Sequence, residues 1–306
     1  MNRSSSSIAW TIVGLYAAVS FLRPAGLIPA NLNAPLSALL PMAFAVLHGS
    51  RRYGWRGMLA FAVIRLVVSN AFENVSILTG FNPGPKLFLV PLLIGLAYLG
   101  MGYLSWTVAR LILDGVRPAA DRIFALPALA SFVMVSWDLT FDPVASTIGQ
   151  SWIWRDGGAY FGVPVSNFLG WYLTVFVFFQ LFALYQSRRP GRPQSAASKA
   201  TIEPSFWWAA LAAYAATALR PIVTLLFLPA GTATIIDQAG VIWNVEALYG
   251  VCALAGIFTM GVFSVLALLR LTERVRGIRS TDPSPKYRAD FSYADHPIPG
   301  SAGEHA

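Results

Sequence analysis

Eight stretches of nearly uninterrupted apolar sequence constrain this chain more than any motif in it: residues 8–22, 34–48, 57–73, 87–109, 123–141, 166–186, 206–229 and 241–269. A bilayer core of roughly 30 Å takes about 20 apolar residues as a helix. Several of these runs reach that length only by extending into flanking segments that contain Pro or Gly. None shows the two-residue alternation of a barrel strand, so helices are the structure they predict. Only 12% of the 306 residues are charged while 56% are hydrophobic, and soluble domains carry about 25% charged residues. The expected fold is an all-α, polytopic transmembrane helix bundle of about eight spans.

The basic residues supply the orientation. Alternate loops hold Arg3; then Arg51, Arg52 and Arg56; then Arg110, Arg117 and Arg122; then Arg188, Arg189, Arg192 and Lys199. Arg270, Arg274, Arg276, Arg279, Lys286 and Arg288 follow the last run. The intervening loops hold only Arg23, Lys86 and Arg155, while Arg65 and Arg220 lie inside runs. By the positive-inside rule both termini are cytoplasmic, and an integral protein of the bacterial cytoplasmic membrane is expected. Residues 1–276 read as one membrane domain. Six spans over 8–186 and two over 206–270 are separated by a polar linker at 187–205. The Pro-, Ser- and Asp-rich residues 277–306 read as a disordered cytoplasmic tail. Ile8–Leu22 behind Arg3 also fits a signal-peptide core, but no small-x-small cleavage site follows Arg23-Pro24.

Composition excludes several functions. The net charge of +8 comes from short blocks between apolar runs. A nucleic-acid surface instead gathers its basic residues on one face with interleaved aromatics. One cysteine, Cys252, rules out a disulfide framework and a Cys-based metal site. His48, His296 and His305 are too scattered for a zinc or di-iron centre. No metal or other cofactor is expected.

An ionisable side chain inside a bilayer is costly, so each one calls for a reason. Arg65, Ser69 and Glu73 fall at i, i+4 and i+8 on one helix face, with Asn70 and Asn74 beside them. A structural stripe is the bland account of that group. Asp138 and Asp142, in Trp137-Asp138-Leu139-Thr140-Phe141-Asp142-Pro143, are four apart. They repel when both are ionised, so one of them holds a proton, and a proton so held is a general acid. Read blandly, Asp142 simply ends a helix before a Pro turn. The segment Ser151 to Pro164 carries Trp152, Trp154 and Tyr160 among glycines, and Asn167 and Trp171 follow it. Aromatics at a membrane boundary are commonly belt residues, yet the glycines predict a shaped loop with defined turns. Arg220 and Glu246 lie at comparable depths on the last two spans and are expected to form an ion pair. The tripeptide Leu-Arg-Pro occurs at Leu22-Arg23-Pro24 and again at Leu219-Arg220-Pro221, too short to be an internal repeat. By the charge count, Glu73, Asp138, Asp142, the Trp/Gly loop and Asn167 all face the non-cytoplasmic side. Acids and aromatics with almost no basic residues there suit an uncharged, apolar substrate.

Four stretches carry a resemblance. They are Phe72-Glu73-Asn74-x-Ser76-x-Leu78-Thr79-Gly80-Phe81, Gly84-Pro85-Lys86-Leu87-x-Leu89-Val90-Pro91, Trp137-Asp138-Leu139-x-x-Asp142-Pro143, and Gly158-x-Tyr160-Phe161-Gly162-Val163-Pro164-x-x-Asn167-Phe168-x-Gly170-Trp171. Across roughly residues 60–190 the chain resembles the carotenoid-biosynthesis membrane family, which includes bisanhydrobacterioruberin hydratase and carotenoid 1,2-hydratases. One departure is visible. The family pattern continues after Thr-Gly-Phe with an aromatic segment of the type Pro-Phe-Gly-x-Tyr-x-Tyr, whereas here Phe81 leads through Asn82-Pro83 directly to Gly84.

The resemblance implies water addition across the terminal 1,2 double bond of an acyclic carotenoid end group, without a cofactor. The substrate would be a lycopene-like or fifty-carbon polyene entering from membrane lipid, and water the co-substrate. Asp138 is then the expected acid, with Asp142 or Glu73 supporting it. Trp137, Trp152, Trp154, Tyr160 and Trp171 are expected to line the substrate and stabilise a cation, and Asn167 and Asn74 to position water. Other carotenoid-pathway enzymes are expected partners for a rival reading, a non-catalytic scaffold. A membrane prenyltransferase would need a second Asp-x-x-x-Asp motif, which is absent. A proton-coupled transporter using Arg65, Glu73, Arg220 and Glu246 would predict inverted repeats, which the sequence does not show.

Overall fold

The computed structural model describes residues 3–78, 92–114, 122–154, 156–188, 204–228, 231 and 234–280. Its elements are α1 (Arg3–Leu22), α2 (Ala30–Leu78), α3 (Leu92–Leu113), α4 (Arg122–Asp142), α5 (Val165–Ser187), α6 (Pro204–Leu226), a short hairpin of β1 (Thr234–Ile236) and β2 (Ile242–Asn244), α7 (Val245–Ala255) and α8 (Val262–Ser280). Wide π turns follow α4 at Pro143–Ile148 and join α7 to α8 at Gly256–Gly261.

Among the described residues six helices are long and apolar enough to cross a membrane: Asn31–Glu73, Leu96–Leu113, Ile123–Ile148, Val165–Ser187, Pro204–Leu226 and Val245–Arg276. The apolar runs predict about eight spans, and the difference lies at the N-terminal end. Ser6–Leu22 is apolar but shorter. Runs 34–48 and 57–73 merge into α2, whose helical geometry breaks at Gly54 (φ 70°, ψ 163°). That backbone conformation is open to Gly at no steric cost. A straight helix of 43 residues would reach roughly 65 Å, about twice the hydrocarbon thickness. The chain instead folds back on itself, so tightly that a Cβ on Gly49 would stand 2.5 Å from the sulfur of Met58.

Helix α3 is central and packs on α2, α4, α6 and α8. Lipid tails are as apolar as leucine, so close van der Waals packing and interhelical hydrogen bonds hold such bundles together. Both are present. Rings of Phe61, Trp106, Phe179 and Phe182 interlock at centroid separations of 4.9–6.3 Å. Gly100 of α3 lets α2 approach until an added Cβ would meet Pro41 at 2.5 Å. Buried His48 lies between Tyr103 (2.5 Å) and the Phe206 carbonyl (2.8 Å), tying α2 to α3 and α6. The Tyr214 hydroxyl donates to the Val133 carbonyl at 2.9 Å, tying α6 to α4.

Proline shapes α4. Pro127 has no N–H to give the carbonyl four residues back, and that carbonyl, on Ile123, accepts from Gln180 Nε2 of α5 at 3.1 Å. The same logic recurs at Pro143, beside the candidate site.

Candidate functional site

Asp138 and Asp142 project from the last two turns of α4. Asp138 is 3% exposed, and neither of its carboxylate oxygens has a hydrogen-bond partner among the described residues. Asp142 is 2% exposed but is held: Asn167 Nδ2, at the start of α5, donates to its Oδ2 at 2.5 Å. The Trp152 indole lies near the same carboxyl. Two acids one helical turn apart therefore have opposite surroundings, one bonded and one not.

The turn after Asp142 follows from Pro143. Its missing N–H leaves the Leu139 carbonyl without the ordinary helical donor. The Tyr160 hydroxyl fills that role at 3.0 Å, and the Cys252 thiol approaches the same oxygen at 4.0 Å. Burial pushes the Tyr160 phenol above its ordinary range, which keeps it a donor. The loop that delivers Tyr160 is tightly specified. Tyr160 and Val163 exchange backbone hydrogen bonds across Phe161 (φ 52°) and Gly162 (φ 83°), a two-residue turn with positive φ at both central positions. A Cβ on Gly158 would fall 2.1 Å from the Pro164 nitrogen. The Gly-rich stretch is thus a shaped loop, and its aromatic tyrosine splints the end of α4.

Tyr98 of α3, which has no part in the sequence-based site, stands at the centre. Its ring stacks on Trp171 at 4.5 Å and meets Trp137 edge-on at 5.4 Å. Trp137 in turn stacks on Phe141 at 4.8 Å, and Phe141 leads to Trp152 at 5.9 Å. Tyr98, Met134, Trp137, Asp138, Trp171 and Val175 line a narrow crevice too tight to admit a water molecule. The Tyr98 phenol lies within electrostatic reach of Asp138, Asp142, Glu73 and Arg65. Glu73, half-buried on α2, is also in reach of Arg65. Acids from α2 and α4 therefore lie within electrostatic reach of one tyrosine of α3, with α5 closing the crevice through Trp171. A tyrosine within an apolar run carries no signal that separates it from core, so sequence reasoning passes over it.

The remaining sequence-predicted residues divide. Trp154 lies apart from the acids, in a polar crevice with Ser146, Thr147, Gln150, Gly162 and Asp237. Tyr160 packs against Phe168 at 5.3 Å and serves the Leu139 carbonyl. The side chain of Asn74 and the segment after Phe81 lie outside the described residues. The expected Arg220–Glu246 ion pair is corrected: Arg220 donates instead to Ser37 Oγ and Asn33 Oδ1 of α2, both at 3.2 Å. Glu246 sits in the exposed first turn of α7, outside the groups that act on Arg220. Among the described residues no three His, Cys, Asp or Glu side chains gather as a metal ion would require.

A family model described as "carotenoid biosynthesis protein" matches residues 33–236, about two thirds of the chain and every element of the crevice. No curated protein and no solved structure matches.

Proposed function

The chain belongs to the carotenoid biosynthesis protein family, and from that premise we propose that it hydrates the terminal 1,2 double bond of an acyclic carotenoid end group. The observation that carries this reading is Asp138: a buried carboxyl, unpartnered among the described residues, in the wall of an aromatic crevice. An ionised carboxylate there would have no donor to compensate it, so the site accommodates the acid form. In the proposed reaction Asp138 gives its proton to the second carbon of the end group, and the π electrons form that C–H bond. The first carbon becomes a tertiary cation facing Trp137, Tyr98 and Trp171. Cation–π contact in a desolvated site contributes about 2 kcal/mol. Water adds to the cation and loses a proton to the Asp138 carboxylate, which restores the acid and leaves a tertiary alcohol. Asp142, held by Asn167, and Glu73 are the acceptors proposed to orient that water.

We further read the helices as about eight crossings with both termini cytoplasmic, in a bacterial cytoplasmic membrane. The two arms of α2 on either side of Gly54 count separately, and α1 provides one crossing. The basic blocks, Arg51, Arg52 and Arg56 at the α2 reversal among them, support that orientation. The polyene would enter from lipid, between helices. A pathway scaffold is the second reading, favoured by the sequence after Phe81, which lacks the family's aromatic segment.

The test is pigment chromatography and mass spectrometry of lycopene-producing cells that express the protein, and of cells supplied with a fifty-carbon polyene. Wild type should give a product heavier than the precursor by one water, and Asp138→Asn should not. Unchanged pigments with wild type, in cells where the tagged chain co-purifies with other pathway enzymes, would favour the scaffold.

A further inference from the structure

The two Leu-Arg-Pro tripeptides, distant in sequence, meet in space. Leu22-Arg23-Pro24 closes α1, and Leu219-Arg220-Pro221 lies near the end of α6; α1 and α6 pack side by side. Arg23 is within electrostatic reach of Arg220, and Tyr249 of α7 is in reach of both. Arg220 is oriented by α2. Its two terminal nitrogens donate one hydrogen bond each, to Ser37 and Asn33, and Ser37 itself donates to Asn33 at 3.4 Å. Those acceptors are neutral. A guanidinium has five N–H donors, so three remain. The Arg23 guanidinium makes no hydrogen bond within the described residues. The ion pairs there, Arg270–Glu273 and Arg274–Asp114, involve neither arginine.

Two like charges at the end of a helix bundle, within electrostatic reach of each other and with no carboxylate paired to either among the described residues, are unfavourable in low dielectric. An anion between them reverses the sign of that interaction. Planar guanidinium forks match the oxygens of phosphate, and Ser37 and Asn33 fix the direction in which the fork on Arg220 points. The site also lies near the ends of α1 and α6 and the starts of α2 and α7, which on the eight-crossing reading is the level of lipid head groups.

We propose that Arg23 and Arg220, with Asn33 and Ser37 holding the second, form a binding site for a phosphate group, carried by an anionic phospholipid or free in solution. The site is separate from the Asp138 crevice and does not depend on the hydration reading.

The full chain, purified in uncharged detergent, is titrated with phosphatidylglycerol, with phosphatidylcholine as the reference lipid, and separately with millimolar inorganic phosphate. Thermal stability is the readout, and native mass spectrometry counts retained lipid. Phosphatidylglycerol should raise Tm by about 3 °C over phosphatidylcholine, with the gain lost in both Arg23→Gln and Arg220→Gln. A rise with phosphatidylglycerol alone assigns the site to a lipid head group, and a rise with inorganic phosphate as well assigns it to phosphate from either source. No rise with either probe overturns the proposal. Arg23→Gln removes a half-buried side chain that has no hydrogen bond to lose among the described residues, so it should fold even if Arg220→Gln does not. A rise retained in Arg23→Gln also overturns it.

Discussion

Replacing Asp138 with leucine and with asparagine separates a catalytic carboxyl from a structural one, because only a structural carboxyl makes both replacements costly to stability. Both oxygens of Asp138 are buried and neither has a partner among the described residues. An unsatisfied buried polar group costs on the order of 1–3 kcal/mol, and a leucine side chain abolishes that cost. The larger side chain needs room, and overpacking by a methylene or two costs about 1–3 kcal/mol where none exists. The crevice beside Asp138 does not admit even a water molecule, so the overpacking offsets the gain. The expected outcome for Asp138→Leu is therefore stability within about 1–2 kcal/mol of wild type, together with loss of hydration. Asp138→Asn keeps the shape and leaves an equally unpartnered amide, so its stability should stay at wild type. Removing a general acid lowers the rate by roughly 100- to 10,000-fold, enough to eliminate the hydrated pigment in both variants. Thermal unfolding in detergent and chromatography of extracted pigments measure the two effects on the same cells. A marked drop in stability for both Asp138→Leu and the isosteric Asp138→Asn would show that the carboxyl is engaged in structure. Continued accumulation of the hydrated carotenoid in either variant would refute its role as the acid.

Three further outcomes follow from the surroundings of that residue. Asn167→Leu removes the amide that donates to Asp142 at 2.5 Å; hydrogen bonds to charged or acidic groups are worth about 1.5–3 kcal/mol, so hydration should fall roughly tenfold or more while Asp142→Asn with Asn167→Leu adds little beyond Asp142→Asn. Tyr160→Phe takes the donor from the Leu139 carbonyl and should cost about 1–2 kcal/mol of stability, read as a lower unfolding temperature with the pigment profile changed only modestly. Gly158→Ala places a Cβ 2.1 Å from the Pro164 nitrogen. It should disrupt the loop by several kcal/mol, visible as loss of both membrane-extracted protein and product.

Much of the fold is legible in the residues. The helices follow the apolar runs because lipid forces backbone groups to pair within each segment. The gap holding Arg51, Arg52 and Arg56 correctly marks a turn, although the structure keeps helical hydrogen bonding almost to Gly54 and merges the flanking runs. The hairpin at Thr234–Asn244 starts between two runs and ends inside the 241–269 run, and it leaves no periodic signal. Asp237 organises it, accepting from the Ala239 and Val241 amides and the Trp243 indole, and an Asp before a Gly turn is a cue that short apolar strands obscure. In the site, Asp138 and Asp142 stand out because charge in an apolar run is rare. Tyr98 does not, since its importance lies in where α3 sits rather than in what it is. Arg220 shows the converse error: equal depth in two spans suggests a partner, but side-chain direction around the helix axis decides contact, and that direction turns Arg220 toward Asn33 and Ser37.

The prolines of α4 carry one more consequence. Each removes a rung of the helix's own ladder, and the freed carbonyls, on Ile123 and Leu139, are taken by Gln180 and Tyr160 from other parts of the chain. The course of α4, and so the aim of the carboxyl it carries, is a property of the assembled bundle rather than of the segment. Excised into a bilayer as a lone peptide, residues 122–148 would be left with two hungry oxygens and no fixed bearing for the acid.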